Sequence, residues 1–142
     1  MNVKNILVPI DFSPGSDTAL TLATSLARDT GARLLLAHVQ ITPLPVGGGE
    51  FMYVEPSPPT DELRARLKGV LPKDPNIPVE HFLLSGDPAD AIVKLAEDEK
   101  ADFIIMGTHG RRGLTRILMG SVAELVVRWA KCPVVTVKSP SK

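Results

Sequence analysis

Short apolar runs alternate with stretches of helical periodicity along most of the chain. Five runs have the length of strands, at residues 3–10, 32–39, 79–84, 102–106 and Val134–Val137. Their apolar residues are mostly contiguous, which is typical of strands buried on both faces of a parallel sheet. We therefore predict five buried strands in this chain.

Start and stop signals frame the helices between these runs. Ser13-Pro14 and Asp87-Pro88 each place a capping side chain before a proline at the first helical position. Gly31 stands where a left-handed cap would end the first helix. Two helices are thus predicted, one after the first strand and one after the third.

Two further helices are predicted at 60–71 and 121–131. Thr60 is a possible N-cap for the first of these helices, which has acidic residues in its first turn. Ser121 and Glu124 have the spacing of a capping box at the start of the second.

The resulting element order predicts an α/β fold. Strands that alternate with helices imply a parallel sheet covered on both faces, with right-handed crossovers. We expect a doubly wound, Rossmann-like sheet of five strands in the order 3-2-1-4-5, with all 142 residues in a single domain.

The segment 41–59 interrupts this pattern with five prolines and three consecutive glycines. No regular element is compatible with so many breakers. One interpretation is a flexible surface loop. The other is a mobile flap over a site, since long loops in compact domains often serve as lids.

Composition narrows the function classes. Sixteen basic residues balance sixteen acidic ones, so the formal net charge is zero and the chain lacks the positive field that nucleic-acid or membrane-surface binding requires. The one cysteine, Cys132, has no partner for an intrachain disulfide, which fits a reducing compartment. No run reaches the ~20 apolar residues of a membrane helix. We therefore expect a cytoplasmic protein with no nucleic-acid or membrane partner.

The predicted strand order points to one crevice. In open α/β sheets, ligands bind at the carboxyl ends of the strands where the strand order reverses. That point lies between the first strand, which is followed by Asp11, and the fourth strand, which ends at Met106.

A glycine- and arginine-rich stretch follows the fourth strand. Gly107 and Gly110 allow tight turns and close approach of a ligand, and Gly120-Ser121 opens the last predicted helix, whose free N–H groups attract anions. Three basic side chains lie between them, at Arg111, Arg112 and Arg116. The stretch is predicted to be a phosphate cradle, although it matches neither a Walker A loop nor GxGxxG.

The spacing Gly107-x2-Gly110-x9-Gly120-Ser121 resembles the nucleotide-binding motif of the universal stress protein family, in its ATP-binding branch. The opening stretch ILVPIDFS and the closing stretch CPVVTV also resemble that family's first and last strands. The likeness covers nearly the whole chain apart from the segment 41–59.

The resemblance implies a bound adenine nucleotide, which is ATP or another adenine nucleotide. Asp11 could help to place a Mg²⁺ ion beside it. Carried over by position, Pro9, Asp11 and Val39 would line the adenine and ribose end. Met106, Gly107 and Gly110 would shape the turn after the fourth strand, and Gly120, Ser121 and Val122 would hold the phosphates. Arg111 is added on grounds of charge.

Several of these residues have a second interpretation. Asp11 could only cap the first turn, and the arginines could form a solvated face. His109 could contact phosphate or serve as a turn residue, whereas His38 and His81 lie in strands and are predicted to be structural.

Three functions remain open. The leading hypothesis is an ATP-binding sensor or regulator of the stress response, forming a homodimer through the edge strand Val134–Val137. A slow ATPase or phosphotransferase at the same pocket is the first alternative, although Asp11 alone offers thin support for phosphoryl transfer. A ligand-free interaction module is the second, and the intact glycine motif argues against it.

Overall fold

A computed structural model describes residues 2–41, 59–108 and 120–138. These residues form a five-stranded parallel sheet with the strand order 3-2-1-4-5, as predicted. The strands are β1 (Asn5–Pro9), β2 (Arg33–Gln40), β3 (Val79–Ser85), β4 (Phe103–Gly107) and β5 (Val134–Val137). The helices are α1 (Pro14–Thr30), α2 (Thr60–Lys68), α3 (Pro88–Asp98) and α4 (Ser121–Trp129).

Each face of the sheet buries its own apolar cluster. Ile6 and Val8 of β1 lie in the cluster that α1 and α2 cover. Leu7 of β1 and Met106 of β4 lie in the cluster that α3 and α4 cover on the other face. The strands are buried from both sides because crossover helices lie on both faces, which explains their contiguous apolar sequences.

The local signals for α1 and α3 are confirmed. The Ser13 hydroxyl accepts a bond from the Ser16 N–H, and the Asp87 carboxylate accepts one from the Asp90 N–H. Gly31 ends α1 with a φ of 78°, a conformation that glycine adopts without strain.

The predicted cap of α2 is wrong. Pro59 occupies the N-cap position, and no side chain caps this helix. The Thr60 hydroxyl instead bonds to the side-chain amide of Gln40 at the end of β2. The helix ends at Lys68, earlier than predicted, and the N–H of Gly69 closes its last turn.

Some predicted strand bounds are also too wide. In the structure β1 starts at Asn5, and at this end of the strand the Asp102 carboxylate accepts hydrogen bonds from the N–H groups of Lys4 and Asn5. The segment predicted as a loop or flap lies, except for Ile41 and Pro59, outside the described residues. Within the part of the chain that the structure covers, no helix is long and apolar enough to cross a membrane.

Candidate functional site

We use the term crevice for the place at the carboxyl end of the sheet where β1 and β4 stop pairing and the strand order reverses, which is where open α/β sheets bind ligands. β1 pairs with β2 as far as Pro9↔Ala37, but with β4 only as far as Leu7↔Ile104. The Ile10 N–H bonds to the Ala37 carbonyl of β2 at 2.7 Å. Because neighbouring residues of a strand direct their main-chain groups to opposite sides, Pro9 faces β4, and proline has no N–H to donate there. The proline therefore ends the ladder at the point where the strand order reverses.

Four apolar residues from the predicted site face this crevice side of the sheet. Alternate residues of a strand share a face, so Pro9 lies on the same side as Leu7, in the face that α3 and α4 cover. Met106 is buried in that cluster, and Val39 and Val122 pack against it. The structure thus brings an apolar wall from β1, β2, β4 and α4 to one edge.

The start of α4 is tied to the end of β4. The Gly120 N–H donates to the Thr108 carbonyl at 2.6 Å, and the Thr108 N–H donates to the Val137 carbonyl of β5 at 2.9 Å. These bonds return the chain to the sheet after residues 109–119. The first turn of α4 is therefore held beside the crevice.

The predicted capping of α4 is wrong in its detail. Gly120 is the N-cap, with φ −63° and ψ 156°, and no side chain caps the helix. Ser121 is the first helical residue and is exposed, while Glu124 pairs with Arg128 at 3.2 Å instead of closing a capping box. Helix geometry leaves the first N–H groups of α4 without intrahelical acceptors, and the Ser121 hydroxyl adds a donor beside them.

Gly107 packs closely against the first turn of α1, a contact that the pattern of the sequence did not predict. A Cβ at this position would lie 3.0 Å from the carbonyl carbon of Gly15, in the first turn of α1. The φ of Gly107 is not positive, so the glycine serves close packing of β4 against α1. The predicted tight turn after Gly107 lies outside the described residues.

Only one oxygen of the Asp11 carboxylate, Oδ1, accepts hydrogen bonds from the described residues. Its Oδ1 accepts both the N–H of Ser13, at 3.0 Å, and the Ser13 hydroxyl. Asp11 therefore does order the turn before α1, as its second interpretation held. Its Oδ2 accepts no bond from the described residues, so it remains available to a ligand donor at the crevice.

A ring stack beside Asp11 was missed in the sequence. The rings of Phe12 and His38 lie 4.7 Å apart between centroids, and the Arg66 Cζ lies 4.1 Å over the Phe12 ring. Phe12 has a φ of 64°, which is unusual for a residue that is not glycine. Neither the backbone angle nor a contact between residues so far apart in the chain leaves a local sequence signal.

Gly110 and Arg111, together with Arg112, Arg116 and His109, lie outside the described residues. The other two histidines contact carbonyls, as expected of structural residues: His38 Nδ1 lies 2.7 Å from the Ile10 oxygen, and His81 Nε2 lies 2.8 Å from the Val70 oxygen. Among the described ranges, no group of three or more histidine, cysteine or acidic residues could hold a metal ion.

Cys132 lies at the other end of the sheet, before β5. It borders a shallow groove with Lys100 and an ion pair between Lys131 and Glu97 at 2.9 Å. Burial raises the pKa of the Cys132 thiol, which favours the protonated, unreactive form. This groove is remote from the crevice and takes no part in the candidate site.

The fold is a doubly wound, Rossmann-like α/β domain, and sequence comparison gives the family. The model of the universal stress protein family matches residues 2–138. The chain belongs to this family.

Individual relatives are similar over nearly the whole chain. The universal stress protein MJ0531 of Methanocaldococcus jannaschii is 38% identical over 98% of this chain and 84% of its own length. A solved structure of MJ0577 from the same organism superposes with a TM-score of 0.73 at 28% identity, covering 100% of both chains.

A third relative carries a ligand. The structure of the universal stress protein from Archaeoglobus fulgidus in complex with dAMP superposes with a TM-score of 0.68 at 27% identity. The match covers 97% of this chain and 100% of that chain.

Proposed function

We propose that the crevice binds an adenine nucleotide, with ATP as the preferred ligand. The observation that carries the proposal is the bond from the Gly120 N–H to the Thr108 carbonyl, which fixes the start of α4 beside the end of β4. An apolar wall and an anion-attracting helix terminus thereby meet where the strand order reverses.

Each part of the crevice fits one part of a nucleotide. Pro9, Val39 and Met106 offer apolar surface to the base. The open Oδ2 of Asp11 can accept a bond from the adenine amine or a ribose hydroxyl, since an ionised carboxylate is only an acceptor. The N–H groups of the first turn of α4, around Ser121 and Val122, suit the phosphates.

The remaining predicted contacts are proposed from the sequence and the comparison. Gly107 and Gly120 frame the turn in which Gly110 and Arg111 would meet the phosphates. A relative in complex with dAMP supports an adenine ligand. Mg²⁺ would accompany ATP through phosphate and water oxygens, because Asp11 is the one carboxylate among the proposed contacts.

We also propose that the protein is a regulator and not an efficient phosphotransferase. One carboxylate gives little support for phosphoryl transfer. Thr108, by contrast, is bonded to both Gly120 of α4 and Val137 of the edge strand β5. Occupancy of the crevice can therefore influence the sheet edge, through which a homodimer would form. A single cysteine with no intrachain partner fits a cytoplasmic location.

The proposal is tested on protein purified without added nucleotide. Mass spectrometry of the supernatant after denaturation should detect an adenine nucleotide, and equilibrium dialysis of stripped protein should show that ATP binds. Incubation with Mg-ATP for hours should release little phosphate. Absence of both co-purified nucleotide and ATP binding would overturn the binding function, while multiple turnovers within minutes would favour the enzyme alternative.

A further inference from the structure

The turn between β1 and α1 contains an aromatic residue in an unfavourable backbone conformation. Phe12 has a φ of 64°, in the left-handed region where a bulky side chain is strained. Such strain persists where surrounding contacts determine the conformation, and it often marks functional sites. Phe12 directly follows Asp11, the proposed acceptor for the nucleotide.

Contacts from two other elements hold Phe12 in place. The His38 ring of β2 lies 4.7 Å from its centroid, at an interplanar angle of 43°, and the Arg66 guanidinium of α2 lies 4.1 Å over the ring. A cation over an aromatic face is attracted by the ring quadrupole. We call these three side chains, Phe12, His38 and Arg66, the ring stack.

The ring stack brackets the turn from both sides of Asp11. The Nδ1 of His38 lies 2.7 Å from the carbonyl oxygen of Ile10, so it must carry the proton in this bond. One histidine thus holds the residue before Asp11 by a hydrogen bond and the residue after it by ring contact. The two hydrogen bonds from Ser13 to Oδ1 then fix the direction of the Asp11 carboxylate.

We propose that Phe12 and Arg66 are positioning residues: the ring stack fixes the turn so that Asp11 directs Oδ2, which accepts no bond from the described residues, towards a donor on the nucleotide. The inference rests on the proposed nucleotide function. It adds that α2 influences the affinity for the nucleotide through the position of Asp11, although α2 contributes no proposed contact with the ligand.

The experiment compares four variants. Phe12→Gly removes the ring while allowing the left-handed backbone, and Phe12→Tyr keeps the ring. Arg66→Gln removes the cation from the stack. Arg64→Gln is the matched control, because Arg64 is an exposed residue of the same helix that takes no part in the stack.

Two readouts separate positioning from general stability. The first is hydrogen exchange of the Ser13 amide in ligand-free protein, which reports the Asp11 turn without any nucleotide. The second is the ATP dissociation constant, measured also in an Asp11→Asn background. If Phe12 acts through Asp11, the two losses are not additive.

We expect Phe12→Gly to speed Ser13 exchange and to weaken ATP binding, each roughly tenfold, and Arg66→Gln to weaken binding about threefold. Phe12→Tyr and Arg64→Gln should behave as wild type, and Asp11→Asn should abolish the effect of Phe12→Gly on affinity. If Phe12→Gly does not fold, Arg66→Gln provides the same test, because Arg66 is an exposed residue whose substitution should not prevent folding.

Three results would overturn the inference: unchanged Ser13 exchange in the stack variants, equal effects of Arg66→Gln and Arg64→Gln, or additive losses with Asp11→Asn. A wild-type protein that binds no ATP would instead refute the nucleotide function, and the exchange readout would then decide the positioning role alone.

Discussion

At the scale of single residues, the tightest constraint near the crevice is the approach of Gly107 to Gly15. A Cβ on Gly107 would lie 3.0 Å from the carbonyl carbon of Gly15, and both partners are backbone, so neither can rotate away. Gly107→Ala should therefore destabilise the fold by about 1–3 kcal/mol, the usual cost of overpacking. Thermal unfolding should show a melting temperature lower by about 3–10 °C.

Gly69→Ala is the matched control for that substitution. The nearest atom to a Cβ at Gly69 is the Arg66 carbonyl oxygen, at 3.4 Å, and the backbone there is right-handed helical. This variant should be neutral or stabilised by up to about 1 kcal/mol. Equal losses in the two variants would show that close packing at Gly107 is not the cause.

Among the helices and strands, the first turn of α4 is the element on which phosphate binding depends. Gly120 has a φ of −63°, which any residue adopts, so Gly120→Leu should still fold, at a cost of about 1 kcal/mol because leucine is a poor N-cap. The leucine side chain would compete for the space of the phosphates. Titration calorimetry with ATP should show no heat for this variant, and wild-type affinity would place the phosphate site elsewhere.

Ser121→Ala tests the same turn more gently. Because Ser121 makes no capping bond, the variant should keep wild-type thermal stability. Losing one hydrogen bond to a charged phosphate should cost about 1.5 kcal/mol, or roughly tenfold in the ATP dissociation constant. A loss of stability comparable to that of a missing helix cap would mean that the hydroxyl serves the fold.

Elements with strictly local determinants could be predicted from the sequence. The start of α1 follows from Ser13 and Pro14, which act on their own helix turn. The alternation of strands and helices with right-handed crossovers leaves few strand orders, and the predicted one, 3-2-1-4-5, is confirmed. The cap of α4 could not be assigned correctly, because glycine and serine are both good N-caps and only the backbone angles of Gly120 decide between them.

Features that depend on distant contacts could not be read from the chain. Gly107 meets Gly15, and Phe12 meets Arg66, across long separations in sequence. The site residues at the ends of strands could be predicted more easily, because the strand order determines which strand ends are neighbours. Pro9 and Met106 are placed at that edge for this reason.

At the scale of the whole molecule, β5 is an edge strand that pairs only with β4 among the described strands. Bonds from Ile104 to the Pro133 carbonyl and from Thr108 to the Val137 carbonyl show which residues of β5 face β4. Because main-chain groups alternate, Val135 also faces β4, and the Thr136 N–H points to the open edge.

This orientation gives a specific test of a dimer formed through β5. Thr136→Pro removes an outward donor and leaves the β4 ladder intact, so light scattering should shift from about 30 kDa, twice the 15.2 kDa chain, to the mass of one chain. Val135→Pro, whose amide faces β4, should instead destabilise the fold. A wild-type protein with the mass of one chain at micromolar concentration would contradict the dimer.

Binding of ATP at the crevice can be tested by thermal unfolding of nucleotide-free protein with and without millimolar ATP. A ligand that binds only the native state adds about 2.7 kcal/mol at a hundredfold excess over its dissociation constant. The melting temperature of the wild type should therefore rise by about 5–10 °C, with no rise in Gly120→Leu. An unchanged melting temperature in wild-type protein shown to be free of nucleotide would contradict the account.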